Sequence, residues 1–235
     1  MLERLPLLAG LALLAIAFVI GSIFIGHGIR DKNRNDVISV TGSAKKRIVS
    51  DYIVWNLSVT SQQASADAAA KELAGWTKRI RSFLTGEGVE PGELSLQPIS
   101  TETVSRKGRV TSFLLTRSFE VRSPRVKEVT EIADRSSALL AQGIPLRAGT
   151  PEYVYTRLPT LRPQLLAQAT KDARNRARVI VDATGAHLGK LRRVSVGVFQ
   201  VTSPNSTEVE DYGVYDTSTL EKDVTAVVNV TFALG

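Results

Sequence analysis

The chain has 235 residues, a formal net charge of +7 and no cysteine. Without cysteine it forms no disulfide or thiolate metal site and receives no lipoprotein anchor. The first 35 residues contribute +2 of the net charge and the remainder +5, a modest excess that favours an anionic bilayer or another polyanion, or simply gives a solvated basic surface.

The strongest local signal is an apolar segment at the N-terminus. Residues 5–29 contain no Asp, Glu, Lys or Arg, and about 20 apolar residues are enough to cross a bilayer as a helix. A cleaved secretory signal is the alternative, because Arg4 precedes the run. The run exceeds the ~7–15 residues of a signal core and no A-x-A site closes it. Residues 1–35 are therefore predicted to be a membrane anchor with a basic flank.

The charges around this segment bear on its orientation. Arg30, Lys32 and Arg34 follow the segment, whereas only Arg4 precedes it. The positive-inside rule would then keep the C-terminal domain in the cytoplasm, but long domains translocate with little regard to flanking charge. The charge count alone leaves the orientation open.

Downstream of the anchor, apolar residues recur with a period of two or of about 3.6, which predicts an α+β domain over residues 36–235. Helices are predicted at about 65–85, 124–142 and 162–184, with glycines at or after their ends. Strands are predicted at 37–41, 52–61, 94–104, 110–121, 153–157, 191–202 and 223–234. A hairpin loop at 105–108 joins two of them.

The order of these elements shows an internal repeat. Strand, helix and two strands over 52–121 recur over 153–234. We therefore expect two similar β-α-β-β halves, at about 36–123 and 145–235, bridged by the helix at 124–142. Antiparallel sheets with helices on one face are the economical packing for this order.

A search for catalytic, metal and cofactor motifs gives little. His187 follows the third predicted helix and has no partner at ligand spacing, so a surface or capping role is favoured. The loop at 203–220 holds Glu208, Glu210 and Asp211, which lack the order of a calcium loop and favour a mobile acidic loop. Gly86 and Gly88 follow a helix and cannot cradle a phosphate there. No catalytic residue, metal site or cofactor is predicted.

One basic stretch is a candidate binding surface for a polyanion, with a solvated face as the alternative. Asp172 and Arg176 lie one helical turn apart and can pair, which reduces the positive potential. The aromatic residues follow apolar stripes without basic interleaving, so no specific nucleic-acid interface is expected. The candidate residues are Lys171, Arg174, Arg178, Lys190, Arg192 and Arg193.

Three segments resemble the SIMPL-domain family. They are Val37-Ile-Ser-Val-Thr-Gly-Ser-Ala44, then Gly88-Val89 with Leu94-Ser-Leu-Gln97, and the Ala-rich stretch Ala167–Ala177 leading to Ala183-Thr-Gly-Ala-His-Leu-Gly-Lys190. The resemblance covers residue 36 to the end. It implies an α+β fold of two similar halves, an extracytoplasmic bacterial protein, ring-like or channel-like oligomers in some members, and loosely defined roles in envelope or oxidative stress tolerance. It implies no catalytic residue.

The resemblance therefore places the domain in the periplasm, held by residues 5–29 in the bacterial cytoplasmic membrane. The leading hypothesis is a non-enzymatic envelope protein that self-associates as a homo-oligomer. An alternative is a binding or adaptor module for an envelope polyanion or partner protein through the basic stretch. The third hypothesis is a hydrolase that uses carboxylates of the 203–220 loop.

Overall fold

The computed structural model describes residues 36–207 and 211–235, so the predicted anchor at 5–29 lies outside the described residues. Among these residues, no helix combines the length and the apolar character needed to cross a membrane. The helices are α1 (Ala66–Gly86), α2 (Val126–Arg135), α3 (Ala138–Ala141) and α4 (Leu158–Thr184). The strands are β1 (Val37–Val49), β2 (Tyr52–Gln63), β3 (Leu94–Leu96), β4 (Ser100–Arg106), β5 (Arg109–Ser123), β6 (Leu146–Ala148), β7 (Glu152–Val154), β8 (Leu188–Val196), β9 (Gln200–Thr202) and β10 (Glu221–Leu234).

The strands form two sheets, and the α+β prediction with antiparallel sheets is confirmed. One sheet has the order β1-β10-β8, with β9 also paired to β10. The other has the order β3-β5-β2-β6, with β4 paired to β5 and β7 to β2. By its contacts the chain divides into two units that do not follow chain order. Unit 1 contains 36–45, 162–199 and 225–235, and unit 2 contains 46–161 and 200–224.

Unit 2 is built on the pairing of β2 with β5. The predicted alternation of β2 is confirmed, because Ile53, Trp55, Leu57 and Val59 are all buried on one face. α1 packs its buried stripe, which includes Leu73 and Ile80, against these strands. The helix begins at the N-cap Ser65, whose side chain accepts a hydrogen bond from Ala68 N. The Trp55 indole N–H, the one polar group of that side chain, donates to Gly149 O at 2.9 Å.

Unit 1 places α4 on the β1-β10-β8 sheet. The helix buries Leu165, Ala169, Ala173, Ala177 and Val181, a stripe at helical spacing in which alanine dominates. On the sheet, the inward face of β10 is formed by Ala226, Val228, Val230 and Phe232, which are also buried. The short alanine side chains let the helix lie close to the strands.

Gly42 is the position where this close approach is tightest. An added Cβ would lie 2.7 Å from Ala173 Cβ, and closer still to the backbone atoms Ala169 O and Ala173 N. The strand predicted at 37–41 was too short, because β1 continues through Gly42 to Val49. The glycine serves close packing of helix on strand, since any side chain here would meet the helix backbone.

Several predicted boundaries also differ from the structure. The single helix predicted at 124–142 is two helices, because Ser136 Oγ donates to Ala133 O at 2.6 Å and competes with helical hydrogen bonding. Pro98, which has no N–H to donate, interrupts the run at 94–104. α4 begins at Leu158, four residues before the prediction, since Pro159 fits the first turn of a helix.

Other differences concern strand ends. The run at 153–157 is the three-residue strand β7, and the run at 191–202 is divided into β8 and β9. The final strand begins at Glu221, and β6 was not predicted. The hairpin between β4 and β5 is confirmed. Its two turn residues, Lys107 and Gly108, have φ of 50° and 76°, as the tight turn favoured by twisted hairpins requires.

The role of Gly42 gives a testable prediction. Gly42→Ala forces α4 away from β1 and should lower the free energy of unfolding by about 1–3 kcal/mol, the usual cost of overpacking. Gly75→Ala is the matched control. Its position lies within α1, where an added Cβ meets no atom within 4 Å, so the control should be about 0.5–1 kcal/mol more stable than wild type. Urea denaturation monitored by circular dichroism measures the free energy of unfolding of both variants. Equal stability of Gly42→Ala and wild type would contradict the packing role of Gly42.

Candidate functional site

The first candidate surface is the basic stretch predicted from sequence. Lys171, Arg174 and Arg178 are exposed and lie on the outward side of α4, away from the alanine stripe. None of the three forms an ion pair with another described residue. The predicted pair one turn apart is confirmed: Arg176 Nε lies 2.8 Å from Asp172 Oδ2. Asp172 Oδ2 also accepts a hydrogen bond from Ser43 N at 2.9 Å.

The other three basic candidates lie on β8, which is an edge strand. Lys190, Arg192 and Arg193 are all exposed. Arg193 pairs with Thr231 of β10, and Thr231 shares a hydrogen bond with Ser39 on the face of the sheet opposite α4. The structure therefore does not bring the six candidates into one patch. Three lie on the outside of the helix, and Arg193 lies on the far face of the sheet.

The feature that sequence reasoning missed is the uncovered apolar side of β8. Val194 and Val196 pair with Val230 and Val228, and therefore lie on the face that α4 packs against. A bulge at Arg192 brings Leu191 opposite Phe232, on the same face. The inward residues of β10 are buried, but Leu191, Val194 and Val196 are 54%, 42% and 53% exposed.

The width of the helix explains this exposure. An α-helix with side chains is about 10 Å across, whereas neighbouring strands are about 4.8 Å apart. A single helix held over β1 and β10 therefore does not reach the third strand. Val198, just beyond β8, continues the row at 43% exposure. In the last turns of α4, Val179 and Ile180 are exposed as well. Contiguous exposed apolar side chains of this kind are typical of interaction sites.

The remaining candidates form no catalytic arrangement among the described residues. His187 is exposed, and its backbone exchanges hydrogen bonds with Gly235. Asp211 is exposed, while Glu208 and Glu210 lie outside the described residues. Within 36–207 and 211–235, no group of three or more acidic, histidine or cysteine side chains is arranged to hold a metal ion.

One buried charged pair closes the end of the 203–220 loop. The Lys222 side chain is fully buried and its Nζ lies 3.5 Å from Asp216 Oδ2, while it donates a hydrogen bond to Thr219 O. Burial lowers the pKa of Lys222, against the opposing effect of Asp216. Burial alone would raise the pKa of Asp216, but hydrogen bonds from Thr219 and Ser218 together with Lys222 lower it to about 2. Every polar group of this pair is engaged in holding the loop, which favours a structural role.

The described residues define the class of protein as an α+β domain with antiparallel sheets and an exposed apolar row on β8. Residues 38–232 match the family model SIMPL, described as a protein of unknown function (DUF541). The chain belongs to the SIMPL family, and the resemblance noted from sequence is confirmed. No curated protein matches the chain.

Three solved structures show distant similarity to the chain. The designed protein Foldit4 is 13% identical, with a TM-score of 0.24, and the match covers 42% of this chain and 97% of that one. The designed protein Ferredog-Diesel is 18% identical, with a TM-score of 0.20, and the match covers 41% of this chain and 83% of that one. A putative amidohydrolase/peptidase from Burkholderia cenocepacia is 18% identical, with a TM-score of 0.22, and the match covers 50% of this chain and 31% of that one.

Proposed function

We propose that this chain is a non-enzymatic, membrane-anchored envelope protein that self-associates through the apolar side of β8. The observation that carries the proposal is the uncovered row of Leu191, Val194, Val196 and Val198 on the edge strand of unit 1. An edge strand presents unpaired backbone N–H and C=O groups as well. Pairing with β8 of a second copy buries the apolar side chains and supplies hydrogen-bond partners for the backbone groups.

The charge pattern along β8 favours a second copy in one particular register. Its cations are confined to residues 190–193, and residues 194–198 carry no charge. In an antiparallel pair of β8 strands centred on Ser195, Arg193 of each copy lies opposite the uncharged Gly197 of the other. The same register places Val194 opposite Val196 on the apolar face, where cross-strand pairs of β-branched residues are stabilising. A parallel pair would place like charges side by side.

The twofold symmetry of this pairing makes it an isologous interface. Such a pair joins the β1-β10-β8 sheets of two copies into one continuous sheet, in which β8 is no longer an edge. Larger assemblies require a second contact surface, for which the exposed apolar residues Val179 and Ile180 of α4 are available. A role in envelope or oxidative stress tolerance is the part of the proposal that comes from the family resemblance.

Sedimentation velocity of the full-length chain in density-matched detergent tests self-association. Wild type should sediment as a defined oligomer. Val194→Glu places a carboxylate in the apolar row and should weaken association at least about tenfold, or about 1.4 kcal/mol. Val110→Glu is the matched control, since Val110 is also exposed but lies on β5 of unit 2; it should associate as wild type does.

A wild-type chain that stays monomeric at high concentration would contradict the proposal. If that monomer also binds anionic vesicles in a salt-dependent manner, the adaptor alternative is supported instead. The observation that favours this alternative is the outward row Lys171, Arg174 and Arg178, which lies on α4 without ion pairs to described residues.

The anchoring part of the proposal rests on residues 5–29, which are long enough and sufficiently apolar to span a bilayer. The family resemblance favours a periplasmic domain over the cytoplasmic one indicated by the flanking charges. Added protease should then spare the domain in intact cells and cleave it in spheroplasts, whose cytoplasmic membrane is still closed. Cleavage only after that membrane is broken would place the domain in the cytoplasm. Release of the domain as a soluble protein from spheroplasts would show that the segment is a cleaved signal.

A further inference from the structure

A second site is present in unit 2, beneath one flank of α1. A cavity of about 300 Å³ lies between this helix, the chain from β3 to β4, and β5. Its apolar surface is formed mainly by Leu73, Leu96 and Ile99. Its charged surface is formed by Lys78, Arg81 and Arg117, and no carboxylate of the described residues lines it.

Arg117 occupies a core-facing position on β5. Leu115, Phe119 and Val121 are buried on the face of β5 that α1 covers. Arg117 lies an even number of residues from each of them, so it is on the same face of the strand. It pairs across the sheet with Val59, whose side chain is fully buried. The neighbouring Thr116 bonds Thr60 on the other face, which fixes the direction of the alternation. A cation thus stands in a row that is otherwise apolar.

The polar atoms around this cation are incompletely satisfied. Arg117 Nη1 donates to Gln97 O at 2.7 Å, but the buried Nε has no hydrogen-bond partner among the described residues. The buried hydroxyl of Thr77, which also lines the cavity, has none either. Buried polar groups in native proteins are normally paired. Both atoms belong to side chains that line the cavity.

The nearest acidic side chain along α1 does not supply the missing charge. Glu72 is directed to β2, where its Oε2 accepts hydrogen bonds from Ser61 Oγ at 2.6 Å and Gln63 Nε2 at 2.9 Å. Lys78, Arg81 and Arg117 form no ion pair with any residue of 36–207 or 211–235. Among the described residues, the cavity therefore combines three unpaired cations with an apolar surface. This combination is complementary to a molecule that has an anionic group and an apolar part.

We propose that this cavity binds a small organic anion, with its acidic group against Arg117, Lys78 and Arg81 and its apolar part on Leu73, Leu96 and Ile99. The acidic group is a carboxylate or a phosphate monoester, both of which accept hydrogen bonds from guanidinium and ammonium groups. The site lies in unit 2 and is independent of self-association through β8.

Methyl NMR of the full-length chain in zwitterionic nanodiscs tests the proposal, with labels on Leu and Ile methyl groups. Hexanoate and hexyl phosphate are the two probes, and their relative affinity distinguishes the carboxylate from the phosphate. Hexanol is the uncharged control. The methyl resonances of Leu73, Leu96 and Ile99 should shift saturably with at least one anion in the roughly millimolar range. Hexanol should produce no saturable shift.

Variants separate the role of the charges from nonspecific attraction. Arg117→Gln should weaken binding at least about tenfold, and Lys78→Gln/Arg81→Gln by several-fold, as expected for lost charge-assisted hydrogen bonds. Arg79→Gln removes one positive charge from the same helix at an exposed position that does not line the cavity, and it should bind as wild type does. If Arg117→Gln is unfolded, the anion affinity of the Lys78→Gln/Arg81→Gln variant tests the role of the cavity charges.

Three results would overturn the proposal. They are the absence of a saturable shift with either anion up to roughly 10 mM, an equal affinity for hexanol, and an equal loss of binding in Arg79→Gln and in the variants of cavity residues. Val194→Glu should leave the anion affinity unchanged, so failure of one proposal does not decide the other.

Discussion

The contact between Gly42 and the alanine stripe of α4 is the constraint on which the rest of unit 1 depends. Because β1 has no side chain at this point, the helix backbone approaches the strand more closely than any other residue would allow. Ala169 and Ala173 meet the glycine directly, and Ala177 continues the stripe. This contact holds the helix over β1 and β10. One helix covers about two strands, so the same contact that stabilises the unit leaves β8 exposed.

The two proposals, self-association and anion binding, rest on two opposite departures from ordinary packing. One is a row of exposed apolar side chains, and the other is a charged side chain at a core-facing position. On β8 the departure is apolar: Val194 and Val196 face the helix side of the sheet but have no cover. On β5 it is polar: Arg117 occupies a core-facing position and keeps an unpaired Nε. Each departure lies within one unit, and each proposal assigns to it a partner outside the chain. A second copy fits the first because the charges of β8 lie at one end, and an anion fits the second because the described lining of the cavity includes cations and no carboxylate.

The sequence predicted the fold class, most helices and the buried face of β2, because apolar periodicity and glycine stops are local signals. It did not predict which segments pack together, since unit 1 combines residues near both ends of the chain with a helix from the middle. The first strand was predicted to end before Gly42, because a glycine needed for close packing has no distinct local pattern. The basic residues were found, but their division between α4 and β8 depends on tertiary structure. Arg117 had a detectable signal, an arginine at a position where alternation calls for an apolar residue.

Cysteine cross-linking tests the central claim, that two copies meet along β8 in antiparallel register, most directly. The chain contains no cysteine, so a single substitution gives an unambiguous result. Ser195→Cys lies at the proposed twofold centre, where the two side chains come within disulfide distance, and the full-length chain should form a disulfide-linked dimer rapidly under mild oxidation. Ser82→Cys, exposed on α1 of unit 2, should remain monomeric on the same timescale. Equal cross-linking rates for the two variants would contradict the pairing of β8 with β8.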